Sequence, residues 1–134
     1  MRVSNVSFTF MGETGLMIPC VLLRLSGCNL KERCAVDCDT KEAWEGGNEL
    51  TLDDLGELVE GANNILITGG EPLLQRDNVF VFANRMKSQF KKVYLETNGS
   101  IPITPLEATV FEKIMVSPKG AIDFEAWRVI PNVI

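Results

Sequence analysis

Cys28, Cys34 and Cys38 fall within one short run, GCNLKERCAVDCDT, which follows the apolar stretch Cys20–Leu25. Thiolates are soft ligands, and three on one loop suit a soft metal or an iron–sulfur cluster. A structural zinc site ordinarily takes four protein ligands. The fourth cysteine, Cys20, lies inside the apolar stretch and reads as a small buried hydrophobe. Three protein ligands leave one coordination position open. In a four-iron cluster, one iron is then available to a substrate or cofactor. A zinc knuckle completed by Asp37 or Asp39 is the alternative. A glycine-rich run, Thr68–Pro72 (TGGEP), follows a second apolar stretch. The two runs together predict a metal centre at one end of a sheet with a charged small molecule beside it.

Several chemistries are excluded within this chain. It has no histidine, which removes Ser-His-Asp and Cys-His catalysis, Cys₂His₂ zinc sites and histidine-held haem. Lys and Arg number 13 against 18 Asp and Glu, a formal charge of −5 with no basic tract. Binding to nucleic-acid backbones is therefore not expected. One or two local cations still suffice to hold a carboxylate.

The elements that must position these residues can be read from hydrophobic patterning. Cys20–Leu25, Asn64–Thr68, Lys92–Thr97 and Lys113–Val116 read as buried strands. Arg128–Val133 reads as a fifth, confined by Pro131 to an edge or an irregular segment. Thr51–Glu60 carries Leu52, Leu55, Leu58 and Val59 at helical spacing, with acids in the first turn. Asn78–Phe90 repeats Val79, Phe82, Met86 and Phe90 on one face, with Asn78 as its expected N-cap. The crossover Ile101–Phe111 holds two prolines and is expected to be short or irregular. Val6, Phe8 and Phe10 alternate in an extra strand or arm at the start.

This alternation predicts a mostly parallel α/β sheet with right-handed crossovers. Ligands in such sheets bind at the carboxyl ends of the strands. SGCNL, GGEP, NGS and SPK follow the four strands, so all four segments are expected on one rim. With 134 residues, 46% of them hydrophobic, the chain is expected to form a single domain over 1–134. No stretch has the length of a membrane span, and MRVSNVSFTF does not read as a signal peptide. The expected location is the cytoplasm, with no membrane partner.

GCNL, CDT, TGGEPLLQ, LETNGS and SPK, in this order, resemble the radical S-adenosylmethionine enzymes. Within them the pattern is most similar to the 7-carboxy-7-deazaguanine synthases, from about Phe8 to Lys119. The resemblance implies an abbreviated partial (β/α) barrel. It implies a 4Fe-4S cluster held by Cys28, Cys34 and Cys38, whose remaining iron chelates S-adenosylmethionine. Asp37, Cys38 and Asp39 would lie along that cofactor. Gly69, Gly70 and Glu71 would meet its methionine end, chiefly through backbone oxygens, and Ser117 and Lys119 would contact it as well. Thr40 matches a Mg²⁺-holding position. Arg24 matches an arginine that pairs with the substrate carboxylate, and Thr68 a substrate-contacting threonine. Phe10, Met11, Gly12 and Glu13 fall in the stretch that corresponds to the family's N-terminal substrate motif; Gly12 and Glu13 match it, and Met11 stands where a glutamine is usual.

The implied activity is a radical lyase reaction. Reduction of the sulfonium gives methionine and a 5′-deoxyadenosyl radical, which takes a hydrogen from 6-carboxy-5,6,7,8-tetrahydropterin. The ring then contracts and loses ammonia, giving 7-carboxy-7-deazaguanine, a precursor in queuosine biosynthesis. The implied partners are the pterin substrate, an electron donor such as flavodoxin or ferredoxin, and a second subunit in a homodimer that covers an open sheet edge. Two further features depart from the family. Five residues separate the first two cysteines and three the next pair, where three and two are usual. The chain also stops soon after SPK, where relatives continue. A glycyl-radical activase and a zinc-stabilised, non-catalytic binding module are the rival readings.

Overall fold

A computed structural model of the chain describes residues 1–12, 14, 17–33, 38–120 and 122–134. In chain order the elements are β1 (Arg2–Met11), β2 (Ile18–Leu25), β3 (Asn48–Glu49), α1 (Leu52–Leu58), β4 (Asn64–Gly69), α2 (Arg76–Ser88), β5 (Lys92–Thr97), α3 (Pro105–Ala108), β6 (Lys113–Val116) and α4 (Phe124–Arg128). Short 3₁₀ turns cover Lys41–Ala43 and Pro72–Gln75. Among the described residues the strands form one six-stranded sheet of order β3-β1-β2-β4-β5-β6. β2, β4, β5 and β6 are parallel, while β1 runs antiparallel to both its neighbours. The expected mostly parallel α/β sheet is present, and its four parallel strands carry the four expected rim segments.

Alternation along each strand divides the side chains between two faces. Leu23, Leu25, Ile65, Ile67, Val93, Leu95 and Ile114 pack with Leu55, Val59, Val79, Phe82 and Met86 in the main core. Cys20, Leu66, Tyr94 and Met115 join Met11 in a smaller cluster, with Leu22 packed against it. Arg24 and Thr68 are register partners at the ends of β2 and β4. Each lies two residues beyond Leu22 and Leu66, so the polar end of the second face continues its apolar floor.

The helices are fixed by local chemistry at their ends. Thr51 and Asp54 form a capping box at the start of α1, and Thr104 and Glu107 form another on α3. Such reciprocal bonds satisfy two otherwise orphaned donors. Lys91 Nζ donates to the carbonyls of Val59, Glu60 and Ala62 at 3.0, 2.6 and 2.6 Å. A cation there complements the negative end of α1. Arg76 Nε donates to Glu107 at 3.0 Å and so ties the start of α2 to α3.

Three details of the pattern are refined by the structure. α2 begins at Arg76 with Gln75 in the cap position, so Asn78 lies inside the first turn. The double leucine of PLLQ runs on into α2 through a 3₁₀ turn, which a window starting at Val79 does not register. Of the edge strand or irregular segment expected at 128–133, the structure has the irregular one: Arg128 ends α4, and Val133 makes an isolated parallel bridge to Ile114. Finally, the Phe8 and Phe10 side chains of β1 are 83% and 62% exposed, whereas Val3 and Met11 are buried. The apolar alternation in β1 therefore marks the strand but not its buried face.

Candidate functional site

Because β2, β4, β5 and β6 are parallel, the chain leaves all of them at the same edge of the sheet. A cavity of about 890 Å³ extends from that edge over the second face, floored by Leu22, Leu66 and Met115. Cys28, Cys38, Asp39 and Thr40 line it from the cysteine loop. Thr68, Gly69 and Gly70 line it from β4, Arg24 from β2, and Ser117 and Lys119 from beyond β6. Phe10 and Met11 also reach it from β1. Cys34, Asp37 and Glu13 lie outside the described residues. Gly12 is not among the lining residues; it follows β1 beside Met17.

The two glycines of the TGGEP run explain how the rim closes. A Cβ on Gly69 would lie 2.2 Å from the Leu25 carbonyl oxygen, and φ there is +150°. A Cβ on Gly70 would lie 2.2 Å from the Gly27 oxygen and 2.8 Å from Cys28 Cβ. Only glycine allows this approach of one backbone to another. The contact is sealed by Gly70 N donating to Leu25 O at 3.2 Å and Glu71 N to Gly27 O at 2.8 Å. Hence the β4 loop is pressed directly against the residue that carries the first thiol of the triad.

Glu71 does not line the cavity with its side chain. Its carboxylate is fully buried beneath the rim. It accepts from Leu73 N at 2.9 Å, from Asn98 N at 2.8 Å and from Thr97 Oγ1 at 2.9 Å. Burial pushes its carboxyl above the usual carboxylate range, against the pull of these donors. Glu71 thus joins the β4 and β5 loops, a role that GGEP as a sequence does not reveal.

Charges in the cavity differ from those of the chain as a whole. Arg24, Arg33 and Lys119 line it, against Asp39 and Glu96. Among the described residues no ion pair engages Arg24 or Arg33. Lys119 Nζ donates to Ser117 Oγ at 3.0 Å, and Thr40 Oγ1 donates to Asp39 at 2.8 Å. An acidic protein therefore brings three cationic side chains to one cavity, enough to meet carboxylates.

The donor set fits an iron–sulfur centre. Cys28 and Cys38 border the same cavity, and thiols are the ligands such clusters take. Leu30 N donates to Cys28 Sγ at 3.4 Å. Among the described residues no three Cys, Asp or Glu side chains gather as a metal site, and Cys34 is not among those residues. Sequence reasoning placed Asn98 on the rim only as part of NGS, and did not single out Arg33, Trp44 or Glu96. For Glu96 and Asn98 a signal existed: LETNGS ends a strand at the predicted rim. For Trp44 there was none, since only the turn after Thr40 brings it to the cavity.

Comparison with known proteins agrees with this donor set. The family model described as "4Fe-4S single cluster domain" matches residues 14–117. The chain belongs to this 4Fe-4S single cluster domain family. A curated relative from Methanospirillum hungatei, named 7-carboxy-7-deazaguanine synthase, is 35% identical over 82% of this chain and 47% of its own length. Proteins of the same name from Koribacter versatilis and Hyperthermus butylicus are 33% and 38% identical, over 96% and 89% of this chain. The chain spans about half the length of these relatives: 47%, 58% and 52%. The likeness to 7-carboxy-7-deazaguanine synthases read from GCNL, TGGEP, LETNGS and SPK is thereby borne out. The crystal structure of QueE from Escherichia coli shares the fold, with a TM-score of 0.74 at 21% identity, over 98% of this chain and 68% of that one. No helix among the described residues of this 4Fe-4S domain is long and apolar enough to cross a membrane.

Proposed function

We propose that this chain is a radical S-adenosylmethionine lyase domain that converts 6-carboxy-5,6,7,8-tetrahydropterin to 7-carboxy-7-deazaguanine. The observation that carries the reading is the convergence of the cysteine loop, the Gly69–Gly70 turn, the end of β5 and the Ser117–Lys119 turn on one cavity that also holds Arg24. In this reading residues 1–134 act as one domain, and Cys28, Cys34 and Cys38 hold the 4Fe-4S cluster. When bound, the cluster and S-adenosylmethionine supply one-electron radical chemistry able to take a hydrogen atom from carbon.

The chain's own residues bind, orient and exclude water. Arg24 offers a planar, permanently charged fork to the substrate carboxylate. Its register partner Thr68 adds a hydroxyl beside it. The Gly69–Gly70 backbone, Asp39, Ser117 and Lys119 hold the cofactor. Thr40 and substrate oxygens hold Mg²⁺, which takes hard oxygen ligands. Phe10 and Met11 close the cavity from β1, and Leu22, Leu66 and Met115 keep its floor dry. The reading places the protein in the cytoplasm as a homodimer that draws electrons from a flavodoxin or ferredoxin.

The test is anaerobic purification, followed by assay of iron, sulfide and zinc, and then incubation with S-adenosylmethionine, a reductant, Mg²⁺ and the carboxytetrahydropterin. A brown protein that releases 5′-deoxyadenosine and forms the deazaguanine product is expected. Colourless protein with stoichiometric zinc overturns the radical reading. A brown protein that cleaves S-adenosylmethionine but leaves the pterin intact overturns the substrate.

A further inference from the structure

Asn29 follows the first thiol of the triad directly and is tied across the rim. Its side-chain oxygen accepts from Asn98 Nδ2 at 3.1 Å, and its own Nδ2 donates to Ser100 Oγ at 2.9 Å. Asn98 is itself fixed: it is buried, its backbone N–H is held by Glu71, and its Oδ1 accepts from Ser100 N at 2.9 Å. Asn29 is exposed and packs into no core, yet both ends of its amide are engaged. One residue further on, Leu30 N donates to Cys28 Sγ at 3.4 Å. That bond exists only while the 28–30 turn keeps its shape.

We infer that Asn29, anchored by Asn98 and Ser100, is a positioning residue that holds the Leu30 amide on the Cys28 sulfur and so sets the reduction potential of the cluster. The inference rests on the cluster proposed above. Reduction places added negative charge on the iron and its sulfurs. An N–H aimed at a ligand sulfur stabilises that charge, and hydrogen bonds to sulfur are among the levers that set cluster potentials. Freeing the turn weakens the N–H···S bond and makes the cluster harder to reduce. The enlarged gap between Cys28 and Cys34 gives a physical reason for such an anchor, because a longer loop has more conformations from which the turn must be selected.

The experiment is a redox titration of the reconstituted full chain, followed by electron paramagnetic resonance, for the wild type, Asn29→Ala and Ser100→Ala. Iron content and thermal midpoint are measured alongside. The expected result is a more negative potential in Asn29→Ala at unchanged iron content, with a smaller shift of the same sign in Ser100→Ala, which loses only the outer link. A purely structural Asn29 would change the thermal midpoint and leave the potential where it was, and that result overturns the inference. If Asn29→Ala fails to take up a cluster, Ser100→Ala decides: a shifted potential supports the inference and an unmoved one overturns it. A wild type that takes up no cluster overturns both this inference and the function on which it rests. A cluster-bearing wild type with indifferent variants overturns the inference alone.

Discussion

The backbone N–H of Asn98 donates to the Glu71 carboxylate at 2.8 Å, so a buried acid joins the loop after β4 to the loop after β5. Replacing Glu71 with Ala strips the acceptor from Leu73 N, Asn98 N and the Thr97 hydroxyl together. Each orphaned buried donor costs about 1–3 kcal/mol, so Glu71→Ala should lower unfolding stability by roughly 3 kcal/mol or more in denaturant titration.

The same carboxyl gives a pH dependence of definite sign. Burial raises its pKa in the folded state above the ordinary value of 4.5. The folded protein then holds this proton more tightly than the unfolded chain. The stabilising contribution is complete below the ordinary value and is lost as pH rises through the raised one. The stability of the wild type relative to Glu71→Gln should therefore fall as pH climbs from that value toward neutrality. A rising difference over that range would show that the three donors outweigh burial.

Gly70→Ala should damage the cysteine loop specifically. Its new Cβ would need space now filled by the Gly27 oxygen and Cys28 Cβ. Overpacking of this kind costs about 1–3 kcal/mol. Because the displaced atoms carry the first thiol, iron uptake on reconstitution should drop more than the thermal midpoint does. Equal iron content in the two proteins would count against the contact.

Arg24→Ala should leave iron content unchanged and raise KM for the pterin. A lost charge-assisted hydrogen bond is worth about 1.5–3 kcal/mol, or roughly tenfold to a hundredfold in affinity. Lysine at this position should restore little, since it lacks the planar fork. Unchanged KM in Arg24→Ala would remove Arg24 from the substrate site.

Phe90 occupies the left-handed position that ends α2, with φ +62°, and its side chain is 96% exposed. A bulky side chain is strained there and this one buries nothing in compensation, whereas glycine adopts the conformation without penalty. Phe90→Gly should stabilise the protein by about 1 kcal/mol and raise its thermal midpoint. A lower midpoint would show that the ring is engaged by something outside this chain.

What was legible in the sequence was what local pattern dictates. Lys92–Thr97 and Lys113–Val116 form with the expected bounds because a run of buried residues ends at a turn signal in each. Thr51 caps α1 because the Thr51–Asp54 box is local. The parallel strands put Cys28, Gly70, Asn98 and Ser117 on one rim because topology leaves no other place for them. Long-range bonds were not legible. Nothing in GGEP says that its acid turns away from the cavity to hold residues 97 and 98, and nothing in KEAW says that Trp44 comes to the cavity wall. Exposure in β1 was hidden as well, since Phe8 and Phe10 look like core residues in any pattern of hydrophobicity.

Trp127 lies buried in α4, and its indole N–H donates to the Gly99 carbonyl at 2.8 Å, one residue beyond Asn98. The turn after β5 is thus read optically from the far end of the chain. With Trp44 changed to phenylalanine, the emission colour of the remaining indole becomes a gauge of whether that turn is seated. A red shift on unlatching Asn29 or Glu71 would register a loosened rim before any catalytic assay is run.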